Sequence, residues 1–400
     1  MKTVPLKRVV GINLQTLPET TEPGFEFRYV DIGAVSRGQL NSEPEATVFA
    51  SAPSRARRLV RQGDTIISTV RTYLRAVWPV RASATDLVVS TGFAVLTPTR
   101  SIDSRYLGWL VQSDVVVEEV VARSVGVSYP AINPSDIGTV RVPLPPLARQ
   151  RAIANYLDRE TARIDALIET KGKLVSLLQS RVEVVVENHV RNLVEEFGST
   201  PLKYAVRRVE VGIVITPSAW YGDDGGVPAL RGLNIQPGGI DLTDLVYLTE
   251  EGHEVHRKSV LRQGDVVVVR TGQAGAAAVV PSELDGCNCI DLVIVRPSRE
   301  LVPQFLEYVL NSDWTQKHVE EYSVGTIQNH FNVGAMKQVP IPLPPIGRQA
   351  EVVEKLWAER AAIDELKERL VRQVDLLAQH RQALITAAVT GELEVPGVAA

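Results

Sequence analysis

Leu144-Pro145-Pro146-Leu147-Ala148-Arg149-Gln150 returns 199 residues later as Leu343-Pro344-Pro345-Ile346-Gly347-Arg348-Gln349. On the same diagonal, Ile164-Asp165 matches Ile363-Asp364, and Ser124-Val125-Gly126 matches Ser323-Val324-Gly325. Asn133 matches Asn332, Ser113-Asp114 matches Ser312-Asp313, and Pro98 matches Pro297. Nearer the start of each copy, Arg61-Gln62-Gly63-Asp64 matches Arg262-Gln263-Gly264-Asp265 at an offset of 201. Pro5-Leu6-Lys7 matches Pro201-Leu202-Lys203 at an offset of 196. Loop insertions and deletions produce such a drift. So many coincidences along one diagonal mean that a unit of about 200 residues has been duplicated, and the fold is that of the unit, twice.

Each unit has two parts. The first mixes short β-type runs with turns: residues 64–70 and 265–269 each read as a strand after a Gly-Asp turn, and residues 104–121 and 303–322 read as helical. This is a mixed α/β, or α+β, globular domain. The second part is a long helix that a Pro-Pro pair starts. Ile153, Leu157, Ile164, Leu167, Leu174, Leu178, Val182 and Val185 recur mostly at steps of three, four or seven, as do Leu356, Ile363, Leu366, Leu370, Val374, Leu377 and Leu384. Arg159, Arg163, Glu169, Lys367, Glu368 and Arg372 occupy the other faces. That is a narrow apolar seam at coiled-coil spacing. The expected domains are therefore 1–146, helix 147–198, 199–345, helix 346–391 and a tail, 392–400. Packing the two helices antiparallel buries both seams and relates the two domains by a pseudo-two-fold axis.

Duplex DNA is also pseudo-two-fold. Two related readers on a stiff spacer suit two half-sites about one turn, ~34–36 Å, apart. The domains differ at most positions, so the expected target is bipartite and asymmetric, with unread base pairs between its halves.

The 400 residues carry a net charge of −4, which does not announce a nucleic-acid binder. The charge is uneven, however: residues 1–146 carry 16 basic and 13 acidic residues, whereas 199–345 carry 12 and 17. Attraction to phosphate must then come from local patches and from partner proteins. Two cysteines, Cys287 and Cys289, are too few for a disulfide framework and fit a reduced, cytoplasmic setting. Apolar runs such as residues 274–280 fall far short of the ~20 residues of a membrane span, and the N-terminal residues do not read as a signal peptide.

The order domain, Leu-Pro-Pro-Leu, long helix, domain, Leu-Pro-Pro-Ile, long helix resembles the specificity subunit of type I restriction-modification systems. The final Thr390-Gly391-Glu392-Leu393-Glu394-Val395 is similar to the end of that family's distal helix. The resemblance implies two target recognition domains on double-stranded DNA and two spacer helices. It further implies docking of methyltransferase subunits, which modify adenine, and of restriction subunits that translocate and cut. One departure concerns partner contacts: Arg149 and Arg348 stand where the family commonly has an acidic residue. A duplicated coiled-coil scaffold that does not read DNA is the alternative.

The leading candidate for base contact is Ser68-Thr69-Val70-Arg71-Thr72-Tyr73-Leu74-Arg75, in which Ser68, Arg71, Thr72, Tyr73 and Arg75 offer hydroxyls, guanidiniums and an aromatic ring. Arginine pairs bidentately with guanine, and Ser or Thr reach bases or phosphates. The counterpart is Arg270-Thr271-Gly272-Gln273-Ala274-Gly275, where Arg270, Thr271 and Gln273 are the candidate contacts and glycines permit close backbone approach. Arg55, Arg57 and Arg58 form a basic cluster for phosphate, and Arg231 and Asn234 are further candidates. The loops with Ser128 and Tyr129, and with Gln328, Asn329 and His330, lie at equivalent repeat positions but differ in sequence, as diverged readers should. Each of these also reads as an ordinary solvated loop.

Catalytic and metal readings fare badly. Cys287-x-Cys289 lacks a second ligand pair. His253 and His256, among Glu250, Glu251 and Glu254, read as exposed surface histidines. Glu365-Leu366-Lys367 lies inside the helical seam, and Asn133-Pro134-Ser135 lacks the second proline and aromatic of an amino-methyltransferase motif. The expectation is a non-enzymatic subunit with no cofactor and no metal.

Overall fold

The computed structural model describes residues 2–81, 86–215, 217–323 and 331–396. It divides into two compact units, Met1–Gly172 with Val371–Ala400, and Lys173–Leu370. Each long helix, Leu147–Phe197 and Ile346–Thr390, gives its first half to one unit and its second half to the other.

The first unit holds two four-stranded sheets. One has the order Val10–Ile12, Phe93–Pro98, Thr65–Ser68, Val77–Pro79, all antiparallel. The other has the order Glu45–Val48, Glu26–Val30, Leu87–Ser90, Ala56–Leu59, with its central pair parallel. The second unit repeats this plan. Val206–Val211, Leu292–Pro297, Val266–Val269 and Ala277–Val279 form its antiparallel sheet. Tyr221–Gly222, Val246–Leu248, Val227–Leu230 and Asn288–Cys289 form the other, again with one parallel pair, Val227–Leu230 with Asn288–Cys289. The duplication extends to register: Ile66 faces Val95 as Val267 faces Ile294. Strands Thr65–Ser68 and Val266–Val269 are buried on both faces, which explains the unbroken run of valines in the second and the Ile66-Ile67 pair at the centre of the first. Gly63 and Gly264, both at positive φ, make the turn that the Gly-Asp pair announced. Asp64 and Asp265 accept the amides of Arg61 and Arg262 across it.

Each expected domain helix is broken in two, as Ser104–Gln112 with Asp114–Ala122 and as Pro303–Leu310 with Asp313–Ser323. The breaks fall at Ser113 and Ser312, whose hydroxyls turn back onto the carbonyls of Leu110 and Val309. Both long helices stop where glycine permits a left-handed residue, Gly198 at φ 73° and Gly391 at φ 83°.

Within each unit the two helix halves run antiparallel. In the first, Asp165 pairs with Arg381 and Lys171 with Gln373, the numbers rising on one helix as they fall on the other. In the second, Gln179 pairs with Lys367. Each core is closed by both helices. In the first unit, Ile153, Ala154 and Leu157 pack with Ile385, Ala388 and Val389 against the domain. In the second, Val352 and Leu356 do so with Val190 and Leu193. Fully burying one such side chain contributes about 1.5–3 kcal/mol. Between these ends the seam is closed only in places: Ile164 and Leu370 are buried, whereas Leu167 is 50% exposed, and Leu174 and Leu366 are also exposed. The continuous buried seam that the spacing predicts is therefore interrupted along the middle.

No helix among the described residues is long and apolar enough to cross a membrane. His253 and His256 depart from expectation: both are half-buried, His253 Nδ1 lying 3.1 Å from Asn288 Nδ2 and His256 packing edge-on to Trp220. Cys287 and Cys289 are buried and unpaired, and burial pushes the Cys287 thiol up to about 12.

Candidate nucleic-acid interface

In the first unit, strand Thr65–Ser68 leaves the sheet into residues 69–75 and returns as Val77–Pro79, with the Ser68 amide bonded to the Ala76 carbonyl across the loop base. The hydroxyl side chains point inward. Ser68 Oγ donates to the Val70 carbonyl, Thr69 Oγ1 to the Gly92 carbonyl at 2.9 Å, and Thr72 Oγ1 bonds Ser124 Oγ at 2.7 Å. Ser68 and Thr72 are buried, so neither is placed to touch DNA. Their sequence-based assignment as contacts is corrected: they shape the loop.

What remains outside is Arg71, Tyr73, Leu74 and Arg75. Thr72–Leu74 forms a single 3-10 turn between two left-handed arginines, Arg71 at φ 50° and Arg75 at φ 54°. A second loop, residues 125–131, stands beside it through an Arg71 amide to Pro130 carbonyl bond of 2.8 Å and a Val70–Ala131 bridge. The Arg71 guanidinium lies 4.7 Å from the centre of the exposed Tyr129 ring. Ser128 is exposed in the same loop. Arg75 pairs with Glu118 at 2.8 Å. The fold thus brings Arg71, Tyr73, Arg75, Ser128 and Tyr129 to one surface.

The basic cluster does not act as a unit. Arg55 pairs with Asp31 at 3.2 Å, and the neighbouring Tyr29 hydroxyl, with Asp31 second, holds its pKa above the usual arginine value. The Arg57 guanidinium lies over the Phe49 ring, 4.4 Å from its centre, and Arg58, half-buried, donates to Thr16. Only Arg55 is well exposed, and its carbonyl accepts from Thr91, beside the Gly92 that holds Thr69.

The second unit places residues 270–275 at the matching point, with the Val269 amide bonded to the Ala276 carbonyl. Phe331 donates to the Arg270 carbonyl as Ile132 does to that of Thr69. Arg270 is mostly buried and held by Asp291 at 2.6 Å, so the expected free guanine reader is an internal ion pair. Asp291 sits at φ 53°. This partner is not legible in the sequence, because it arrives from another strand end 21 residues away. Thr271 and Gln273 are exposed. With Gly232, Leu233, Gln236 and Gly272 they line an open groove of about 560 Å³. Asn234 is fully buried: its Oδ1 accepts the Arg231 amide, and its Nδ2 donates to the carbonyls of Asp241 and Asp244. Arg231 binds Asp244 at 3.2 Å. These two residues staple a loop, and the expectation of base contact from Asn234 is corrected on that ground. Gln328, Asn329 and His330 lie outside the described residues.

Sequence reasoning missed Leu74, Val125 and Val127, all exposed apolar residues on the first unit's loop surface. Their signal was present in the sequence as apolar residues inside loops otherwise rich in polar ones.

No family model matches the chain. It aligns at 22% identity over 316 residues with the specificity subunit of the type I restriction enzyme EcoKI of Escherichia coli K12, over 75% of this chain and 68% of that one. A chain solved in work on complex assembly and conformational transition of the type I R-M system superposes with a TM-score of 0.71 at 25% identity, covering 98% of both chains. The chain is thus similar, over nearly its whole length, to type I restriction specificity subunits. The HsdS subunit of Thermoanaerobacter tengcongensis has a similar fold, with a TM-score of 0.52 at 24% identity over 98% of this chain and 97% of that one. At the family's usual acidic position, Arg149 is half-buried and Arg348 pairs with Glu351 at 2.9 Å.

Proposed function

We propose that this specificity subunit reads a bipartite, asymmetric DNA target and presents it to methyltransferase and restriction subunits, without catalysing a reaction itself. One observation carries the reading. The two domains share a register, and both extend a loop from the same strand end, yet the loops differ in chemistry. The first shows Arg71, Tyr73, Leu74 and Arg75; the second shows Thr271, Gly272 and Gln273. A shared frame with divergent tips suits two related but unequal half-sites. Arg71 is suited to guanine, which arginine contacts through two acceptors in the major groove, and Gln273 to adenine. The spacer helices set the unread gap. The 51-residue helix is about 76 Å long at ~1.5 Å per residue.

The test is to express the chain together with its genomic neighbours and map modified bases genome-wide. The expected result is one motif of two unlike halves around an unspecified gap. Modification without such a motif, or none, contradicts the proposal.

A further inference from the structure

The apolar crest of the first domain's loop surface is not accounted for by arginine reading base edges. Tyr73 and Leu74 are 52% and 50% exposed, and Val127 and Tyr129 stand out from the adjoining loop. These side chains contribute little to folding where they are. The loop does not tuck them in, because its base is pegged: Thr69 to Gly92, Thr72 to Ser124, and the Arg71 amide to Pro130. Two non-glycine residues, Arg71 and Arg75, hold left-handed backbone on either side of the turn, a conformation that costs free energy and persists only where the surroundings impose it.

Side chains this exposed project from their loops, so the crest is suited to enter its partner rather than to receive it. Its flanks are cationic. Arg71 has no carboxylate within 4.0 Å among the described residues and rests on the Tyr129 ring, while Arg75 reaches Glu118. A partner that is anionic outside and apolar within matches this arrangement, and a stacked duplex is such a partner. We propose that Tyr73 and Leu74 form a wedge that enters a base-pair step in the half-site read by the first domain and unstacks it, with Arg71 and Arg75 flanking the opened step. The second domain's loop, residues 270–275, is one residue shorter than residues 69–75 and exposes no apolar side chain of that size. Its half-site stays stacked, so the two halves of the target are deformed unequally. The inference rests on the DNA-reading assignment above.

The experiment uses the full chain assembled with its methyltransferase partner on the mapped target. 2-Aminopurine is placed in turn at positions other than the methylated base, and affinity is followed by anisotropy. The expected result is a several-fold fluorescence gain at one step of one half-site only. The double variant Tyr73→Ala/Leu74→Ala abolishes the gain and weakens specific binding about tenfold, and Leu74→Met restores most of the gain when Tyr73 is kept. Specific binding by the unaltered complex with no brightened step overturns the wedge alone, as does full brightening in the double variant. A double variant that fails to assemble with the methyltransferase while the unaltered chain assembles also overturns it, in favour of a protein partner. If the unaltered complex binds no DNA specifically, both the wedge and the DNA-reading assignment fall.

Discussion

Replacing Gln150 by leucine tests how each domain is fixed to its helix. Gln150 is 1% exposed. Its Oε1 accepts the Asp103 amide at 2.7 Å, and its Nε2 donates to the carbonyls of Ser101 at 3.1 Å and Pro145 at 2.8 Å. Gln349 does the same in the second copy, accepting the Val302 amide at 2.9 Å and donating to the carbonyls of Glu300 and Pro344, both at 2.8 Å. Leucine fills a similar volume and makes none of these bonds. Ser101 is exposed, so its carbonyl turns to water. The Asp103 amide and the buried Pro145 carbonyl cannot do so readily. Each buried group left unpaired costs about 1–3 kcal/mol, so the loss is about 2–6 kcal/mol. Asp103 also caps the helix Ser104–Gln112 through the amides of Arg105 and Tyr106, and that cap loosens with it. In a domain of this size each kcal/mol is about 2–4 °C, so a loss near the middle of the range, about 4 kcal/mol, lowers the unfolding temperature by roughly 8–16 °C. Calorimetry on the full chain measures this, with the exposed Gln179→Leu as control. Hydrogen exchange should quicken in residues 99–112 for Gln150→Leu and in residues 298–310 for Gln349→Leu. A shift no larger than the control's, or protection unchanged in both segments, refutes the reasoning.

Arg71→Ala should cost about 1–3 kcal/mol of specific binding and relax specificity at one base of one half-site; competition binding against single-base variants of the target measures it, and uniform weakening on all sequences would make Arg71 a phosphate contact. Ile385→Ala, in the last turns of the second long helix, should destabilise the first domain by about 2–5 kcal/mol, because Ile385 is fully buried in that domain's core; denaturant unfolding followed at a probe in residues 86–112 reads it, and a change under ~0.5 kcal/mol would place the helix end outside the core. Glu307 is held above the usual carboxylate range by burial, although it accepts the Val279 amide. A raised folded pKa gives stability that is present below the unfolded value and is lost as pH rises through the folded one. Glu307→Gln should therefore be at least as stable as the parent at neutral pH, with the gap closing toward ~pH 4; a gap that widens on acidification contradicts the assignment.

Much of the architecture was legible because duplication doubles every signal. The Pro-Pro pairs at 145–146 and 344–345 and the glycines at 198 and 391 bracketed both long helices to within a residue or so. The breaks at Ser113 and Ser312 were not legible, since apolar periodicity runs through both. The surface loops were legible only in part. A hydroxyl in a loop reads the same whether it faces water or, like Thr72, anchors the loop from inside. Arg270 looked free because its counterion, Asp291, is brought to it by strand pairing. The closure of each domain by the far end of the other helix depends on three-dimensional return of the chain, which no local pattern encodes.

The most direct test exchanges residues 199–345 for the corresponding domain of another specificity subunit and maps methylation in cells that carry the matching methyltransferase. The account predicts a motif in which one half and the gap are kept while the other half changes. A motif left unchanged, or altered in both halves, would contradict it.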